Sequence, residues 1–239
     1  MTLNAAAAPK PPTVIHIEGR AKVRTVAERA ALDIHVLDTG YDKDLASKNV
    51  ITAVNTLQSR LDSLVSRLEN GDISPASPIT FYSIASLSIS TRDDYDNEGN
   101  RPDPDKKLHT ASSTIDVHFR DFTLLGDMVV RLSAMDYVGL RGVTWQLTDA
   151  KQAWLDEEVR LQALKHAIER AEAYARIISR ERVTCVKIED SSEFWPSGQM
   201  MQTARQVASV EAFGVGAGIQ FEPGNIEVRG TVSVEFHAE

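Results

Sequence analysis

Several features that would point to a particular function are absent from this 239-residue sequence. It has one cysteine, Cys185, so it can form neither an intramolecular disulfide nor a thiolate cluster for zinc. No apolar run reaches the roughly 18 residues that a membrane-spanning helix needs, and the start lacks the basic and apolar regions of a secretory signal. Its basic residues do not cluster and its net charge is −8, which disfavours binding to nucleic-acid phosphates. We therefore expect a cytoplasmic protein that binds neither nucleic acid nor a membrane.

The most regular stretch, residues 148–179, contains neither proline nor glycine and consists mainly of strong helix formers. Thr148 or Asp149 can cap its start. Small residues recur at every fourth position, at Ala163, Ala167, Ala171, Ala175 and Ser179. Larger apolar residues flank this series, namely Leu161, Leu164, Ile168, Tyr174 and Ile178. The pattern predicts one long helix, about residues 149–179, whose alanine face lies closely against a sheet.

The other elements alternate between strand and helix patterns. Period-two alternation predicts strands at residues 14–19, 30–38, 80–91, 108–120, 138–147, 183–190 and 226–236. Apolar residues at helical spacing predict helices at 42–69 and 122–134. Strand pairs separated by helices predict an α+β fold with a mainly antiparallel sheet and helices packed on one face. We expect residues 1–12, rich in alanine and proline, to be a disordered tail, and residues 13–239 to form one domain.

Several of these stretches together resemble the SIMPL domain family. IHIEGRAKV is similar to its opening strand, residues 109–142 to its strand–helix–strand segment, the alanine series to its most recognisable helix, and EPGNIEVRGTVSVEF to its closing strand. Ala46 and Asn49 also match the first helix of the family. The sequence departs from the family at Ala27-Glu28, which replaces Pro-Asp, and at Ser179-Arg180, which lacks the usual glycine. The resemblance implies an α+β domain, a tendency to form oligomers and roles in signalling association or stress response, and it supplies no catalytic residues.

One acidic segment invites comparison with a calcium-binding loop. Residues 94–105 carry acids at positions 1, 3, 5 and 12 and a glycine at position 6, as an EF-hand loop does. Strands and not helices are predicted on both sides, which favours a solvated hairpin loop. The six histidines show no metal-binding spacing, and the sequence contains no G-x-S-x-G motif. We therefore assign no catalytic, cofactor or metal residues.

The segment 191–215 holds the best candidates for a binding surface. Phe194, Trp195, Met200 and Met201 are large apolar residues in a polar stretch without periodicity. Tryptophan and methionine are favoured at interaction surfaces, so these four side chains could bind a partner. The alternative is that they fold back onto the core of their own domain, as large apolar side chains usually do.

Taken together, these observations predict a non-catalytic interaction protein of the SIMPL type. We expect it to form homo-oligomers, with another protein as a further possible partner, and to need no cofactor. The alternative is an enzyme whose site is assembled from residues that are distant in sequence. A calcium-responsive binding module based on residues 94–105 is a weaker alternative.

Overall fold

The computed structural model describes residues 11–95, 106–190 and 220–239. Along these residues the elements are β1 (Thr13–Val26), β2 (Arg29–Gly40), α1 (Lys43–Leu64), β3 (Ile79–Ile84), β4 (Ser88–Asp93), β5 (Lys107–Phe119), α2 (Phe122–Ser133), β6 (Val138–Gln146), α3 (Asp149–Ile177), β7 (Val183–Asp190) and β8 (Asn225–Ala238). The strands form two antiparallel sheets. The predicted α+β class is confirmed.

The chain folds into two compact units, each with its own sheet and hydrophobic core. The five-stranded unit takes residues 26–95, 106–146 and 220–224, with strand order β3-β5-β2-β6 and β4 also paired to β5. The three-stranded unit takes residues 11–25, 147–190 and 225–239, with strand order β1-β8-β7. Each sheet therefore joins strands that are far apart in the sequence.

In the five-stranded unit, α1 and α2 cover the apolar side of the sheet. The inward side chains of β2 and β5 alternate with polar ones, and the register sets Leu32 opposite Val117 and Ile34 opposite Ile115. The helix α1 buries a stripe at three- and four-residue spacing, namely Ala46, Val50, Ala53, Leu57 and Leu61. The carboxylates of Asp42 and Asp121 accept backbone N–H groups at the starts of α1 and α2, as N-cap residues do.

Two predicted elements of this unit have different bounds in the structure. The helix predicted over 42–69 ends at Leu64, because the backbone becomes extended at Val65 and then turns back on itself. The strand predicted over 80–91 is divided into β3 and β4. Both strands pair with β5, and the hydroxyl of Ser113 on β5 donates to the carbonyl of Ala85 at the interruption.

In the three-stranded unit, α3 lies across one face of the sheet with its alanines inward. Thr148 caps the helix, and Ala163, Ala167, Ala171 and Ala175 are almost completely buried, which confirms the predicted alanine face. A Cβ added to Gly19 of β1 would lie 2.0 Å from the carbonyl oxygen of Ala163, and one added to Gly230 of β8 would lie 2.5 Å from Val159 Cγ1. The helix can approach the sheet this closely because these two strand positions have no side chain.

Gly19 also explains why the first strand is longer than predicted. The sequence predicts a strand at 14–19 followed by a turn at the glycine. The structure instead continues β1 through Gly19 to Val26, with Gly19 buried beneath α3. That interpretation of the glycine was wrong, since the residue provides close contact and not a change of direction.

The larger apolar residues predicted to flank the alanine face are mostly outside the core. Leu161 is 58% exposed, and Ile168, Tyr174 and Ile178 are also exposed, whereas Leu164 packs against the buried cluster. An interface of alanine and glycine is shallow, so side chains that point away from it cannot reach the sheet. The helix ends with Ser179 in the left-handed region (φ 57°), the position at which the sequence lacks the glycine of the family pattern.

Candidate functional site

The strand β7 is an exposed edge of the three-stranded sheet. Among the described residues it pairs with β8 on one side and with no strand on the other. Every side chain from Thr184 to Glu189 is exposed, including Val186 at 51% and Ile188 at 53%. Ile188 lies opposite the buried Val234, so it extends the apolar face of the sheet beyond the part that α3 covers. An edge strand with open backbone groups and apolar side chains is a surface to which another strand can add.

A bulge in β7 decides which side chains share a face. The register with β8 shifts between Cys185 and Lys187. Beyond this shift, Lys187 lies opposite Glu235 and Glu189 opposite Ser233, on the face away from α3. Lys187 donates a hydrogen bond to Glu189, which raises the pKa of the lysine and lowers the pKa of the glutamate from their ordinary values. The strand therefore presents a cation and an anion two residues apart, on either side of Ile188.

Two side chains of α3 bind the backbone at the opposite edge of the same sheet, near the middle of β1. The backbone N–H of Arg20 on β1 donates to His166 Nδ1 at 3.1 Å, and Arg170 Nη1 donates to the carbonyl oxygen of Glu18 at 3.0 Å. Since a backbone N–H can only donate, His166 Nδ1 carries no proton in this contact. The helix thus binds one donor and one acceptor that an added strand would use at β1. The two edges of the sheet differ: β1 is blocked here, and β7 is open among the described residues.

A charged cluster occupies the helix-free face of the sheet, next to β1. Glu227 accepts from Arg24 Nε and Arg229 Nε, each at 2.8 Å, and Lys22 Nζ lies 4.0 Å away. The hydrogen bonds from these two arginines lower the pKa of Glu227 from 4.5 to about 2. This cluster joins the edge strand β1 to the central strand β8, which gives it a structural role.

The five-stranded unit contains an open cleft of about 950 Å³ beside the start of α2. Arg120, Asp121, Asp127 and Glu222 are among its lining residues. Asp121 accepts the N–H groups of Thr123 and Leu124 as the helix cap, and Arg120 donates to the carbonyl oxygen of Pro75. These two charged groups hold the cleft wall in place. Within the described residues, no three His, Cys, Asp or Glu side chains are placed to hold a metal ion.

The sequence-predicted binding residues Phe194, Trp195, Met200 and Met201 lie outside the described residues, so their role as partner-binding residues stays a prediction. The same holds for most of the acidic segment at 94–105. Its first residue, Asp94, is described, and its carboxylate accepts a hydrogen bond of 2.6 Å from the hydroxyl of Tyr41. This contact raises the pKa of Tyr41 above its ordinary value.

Sequence reasoning missed both edges of the three-stranded sheet. The sequence predicts a strand at 183–190, but a strand pattern does not show whether a partner covers it. His166 and Arg170 are four residues apart on α3, which places them on one side of the helix, but nothing in that spacing identifies the strand that they contact.

None of the described helices combines the length and the apolar character needed to cross a bilayer.

Comparison with known proteins agrees with the resemblance seen in the sequence. A model of the SIMPL family, described as a protein of unknown function (DUF541), matches residues 15–236. A search of curated proteins finds no match. The matched region begins in β1 and ends in β8, and it includes all the other helices and strands. On this evidence the chain belongs to the SIMPL family.

Proposed function

We propose that this chain is a non-catalytic interaction protein that works by binding a second copy of itself through the open edge of its three-stranded sheet. The observation that carries the proposal is the difference between the two edges. At β1, α3 supplies side chains to the backbone groups that another strand would bind, whereas β7 exposes apolar side chains on a strand with one open side in the described part of the chain. Proteins commonly protect edge strands against association, and this sheet is protected on one side.

The exposed side chains of β7 also support this role. Val186 and Ile188 are β-branched and exposed. Burying apolar surface of such side chains at a contact stabilises the contact by about 25 cal/mol per Å². A contact made by one short strand is small, so we expect a reversible dimer with a dissociation constant on the order of micromolar. In the cleft beside α2, Arg120 and Asp121 hold local structure and are therefore not free to serve the enzyme alternative.

The test is the mass in solution, measured by light scattering over a dilution series. Wild-type protein should change from dimer to monomer as it is diluted. Ile188→Lys places a charge on the apolar part of the edge and should weaken the dimer at least about tenfold, equivalent to about 1.4 kcal/mol. Ile51→Lys is the matched control, since Ile51 is 46% exposed on α1 in the other unit and should leave the dimer unchanged.

Both substitutions replace a side chain that is already exposed, so both variants should unfold at the wild-type temperature in dilute solution. A wild-type protein that stays monomeric at its highest soluble concentration would refute self-association. Equal weakening by the two lysine variants would remove β7 as the contact.

A further inference from the structure

Resting on the self-association proposed above, we infer that two copies pair antiparallel through β7, with Ile188 of one copy opposite Ile188 of the other. The second copy thereby extends the three-stranded sheet into a continuous sheet of six strands. The partner of the open edge is then a second copy of the chain, and Lys187, Ile188 and Glu189 align the two strands.

The symmetry of two identical strands limits the possible registers. Two copies that join into one sheet are related by a twofold axis perpendicular to it, so each residue lies opposite a residue of the same face. Around Ile188, the axis can therefore pass beside Lys187, Ile188 or Glu189. These three choices differ in the charges that they bring together on the helix-free face.

Only one of the three registers is electrostatically complementary. An axis at Lys187 sets lysine opposite lysine, and an axis at Glu189 sets glutamate opposite glutamate. An axis at Ile188 sets Lys187 of each copy opposite Glu189 of the other and creates two ion pairs. Opposite charges on directly facing strand positions stabilise a sheet, and like charges there destabilise it.

The apolar side of β7 fits the same register. Ile188 lies on the α3 side of the sheet, opposite Val234 of β8, and is 53% exposed. With the axis at this residue, the two Ile188 side chains meet and cover each other. The pairing thus buries the apolar residue at its centre and places the two ion pairs on the opposite face.

Charge reversal and exchange test the register directly. Lys187→Glu sets four glutamates around the axis, and Glu189→Lys sets four lysines there. Each single variant should weaken the dimer at low salt by about tenfold or more, because attraction becomes repulsion at both pairs. The double variant Lys187→Glu/Glu189→Lys recreates both pairs with the charges exchanged and should return the affinity to within about threefold of wild type.

The control is Lys165→Glu, which reverses an exposed charge on α3 and should leave the dimer unchanged. Thermal unfolding at concentrations below dimer formation checks that every variant is folded. Weakening by both single variants without recovery in the double variant would overturn the register, as would no effect of either single variant. In both cases a wild-type dimer would leave the proposed self-association standing. A strictly monomeric wild type, as would follow if another part of this chain covers β7, would overturn both proposals.

Discussion

Small residues set the distance between α3 and its sheet. The alanines at positions 163, 167, 171 and 175 were predictable, because a repeat of four residues keeps side chains on one face of a helix. The complementary role of Gly19 was not predictable, since it depends on a contact with Ala163, which is 144 residues later in the chain. A single glycine in a strand pattern is consistent with a turn, a bulge or a close contact, and only the packing distinguishes these.

The first prediction at this scale concerns Ala171, which is fully buried between α3 and the three-stranded sheet. Replacing it with leucine should separate the helix from the sheet and cost about 1–3 kcal/mol of unfolding free energy through overpacking. Denaturant unfolding of Ala171→Leu measures this cost. Glu172→Gln, on the next and exposed position, is the control and should unfold like wild type. Equal stability of the two variants would contradict close packing at this position.

The second residue-scale prediction concerns the charge of Glu227. Its pKa in the folded protein, about 2, lies below the 4.5 of an unperturbed glutamate, so the ionised form stabilises the fold. That contribution is complete above pH 4.5 and is lost as the pH falls towards 2. We expect Glu227→Gln to melt below wild type at neutral pH, and the difference in Tm should shrink across this range.

Melting curves from pH 7 to about pH 2 would measure the effect of Glu227. Glu172→Gln again serves as the comparison, and its difference from wild type should not follow the same course. A Glu227→Gln variant whose Tm difference is independent of pH would show that the arginine contacts do not stabilise the ionised carboxylate.

The two edge strands of the three-stranded sheet, β1 and β7, differ in how far α3 covers them. Sequence periodicity gave the bounds of β7 as the structure has them, residues 183–190, since alternation is a local property. It did not show that β7 is exposed on both faces, because exposure depends on how far α3 extends across the sheet. The division of the predicted strand 80–91 into β3 and β4 was missed for a similar reason, since both halves carry strand-forming residues and the interruption involves β5.

One prediction belongs to the β1 edge. The double variant His166→Ala/Arg170→Ala removes both side chains that bind the backbone at Glu18 and Arg20. Each lost hydrogen bond should lower the free energy of unfolding by at most about 1.5 kcal/mol, because water can replace it at this exposed site. The newly opened edge should add to other copies, so light scattering should detect masses above the wild-type value.

The matched control is Gln162→Ala/Lys165→Ala, which shortens two exposed side chains of the same helix. It should preserve both the stability and the mass of the wild type. A His166→Ala/Arg170→Ala variant that loses stability but keeps the wild-type mass would show that these side chains only fasten α3 to β1 and do not block association.

At the scale of the whole molecule, the two units are made from interleaved stretches of sequence. The closing strand β8 lies between β1 and β7, so the three-stranded sheet is complete only when the last residues have paired. Element order and periodicity were sufficient for the α+β class and for the family resemblance, both of which are confirmed. They were not sufficient for the assignment of strands to sheets, because strand patterns do not identify their partners. The binding role predicted for Trp195 and its neighbours stays a prediction.

An alanine at every fourth position makes the buried stripe of α3 nearly periodic, so the helix could slide by one turn and meet the sheet with almost the same surface. A slide in one direction would bring Val159 to the place of Ala163 beside Gly19, and its two extra methyl groups would overpack that contact. A slide in the other direction would exchange alanine for alanine beside Gly19, and would replace Val159 by Ala163 over Gly230. The hydrogen bonds of His166 and Arg170 to β1 oppose that movement. A slide of one turn would move both side chains away from their backbone partners and break both hydrogen bonds.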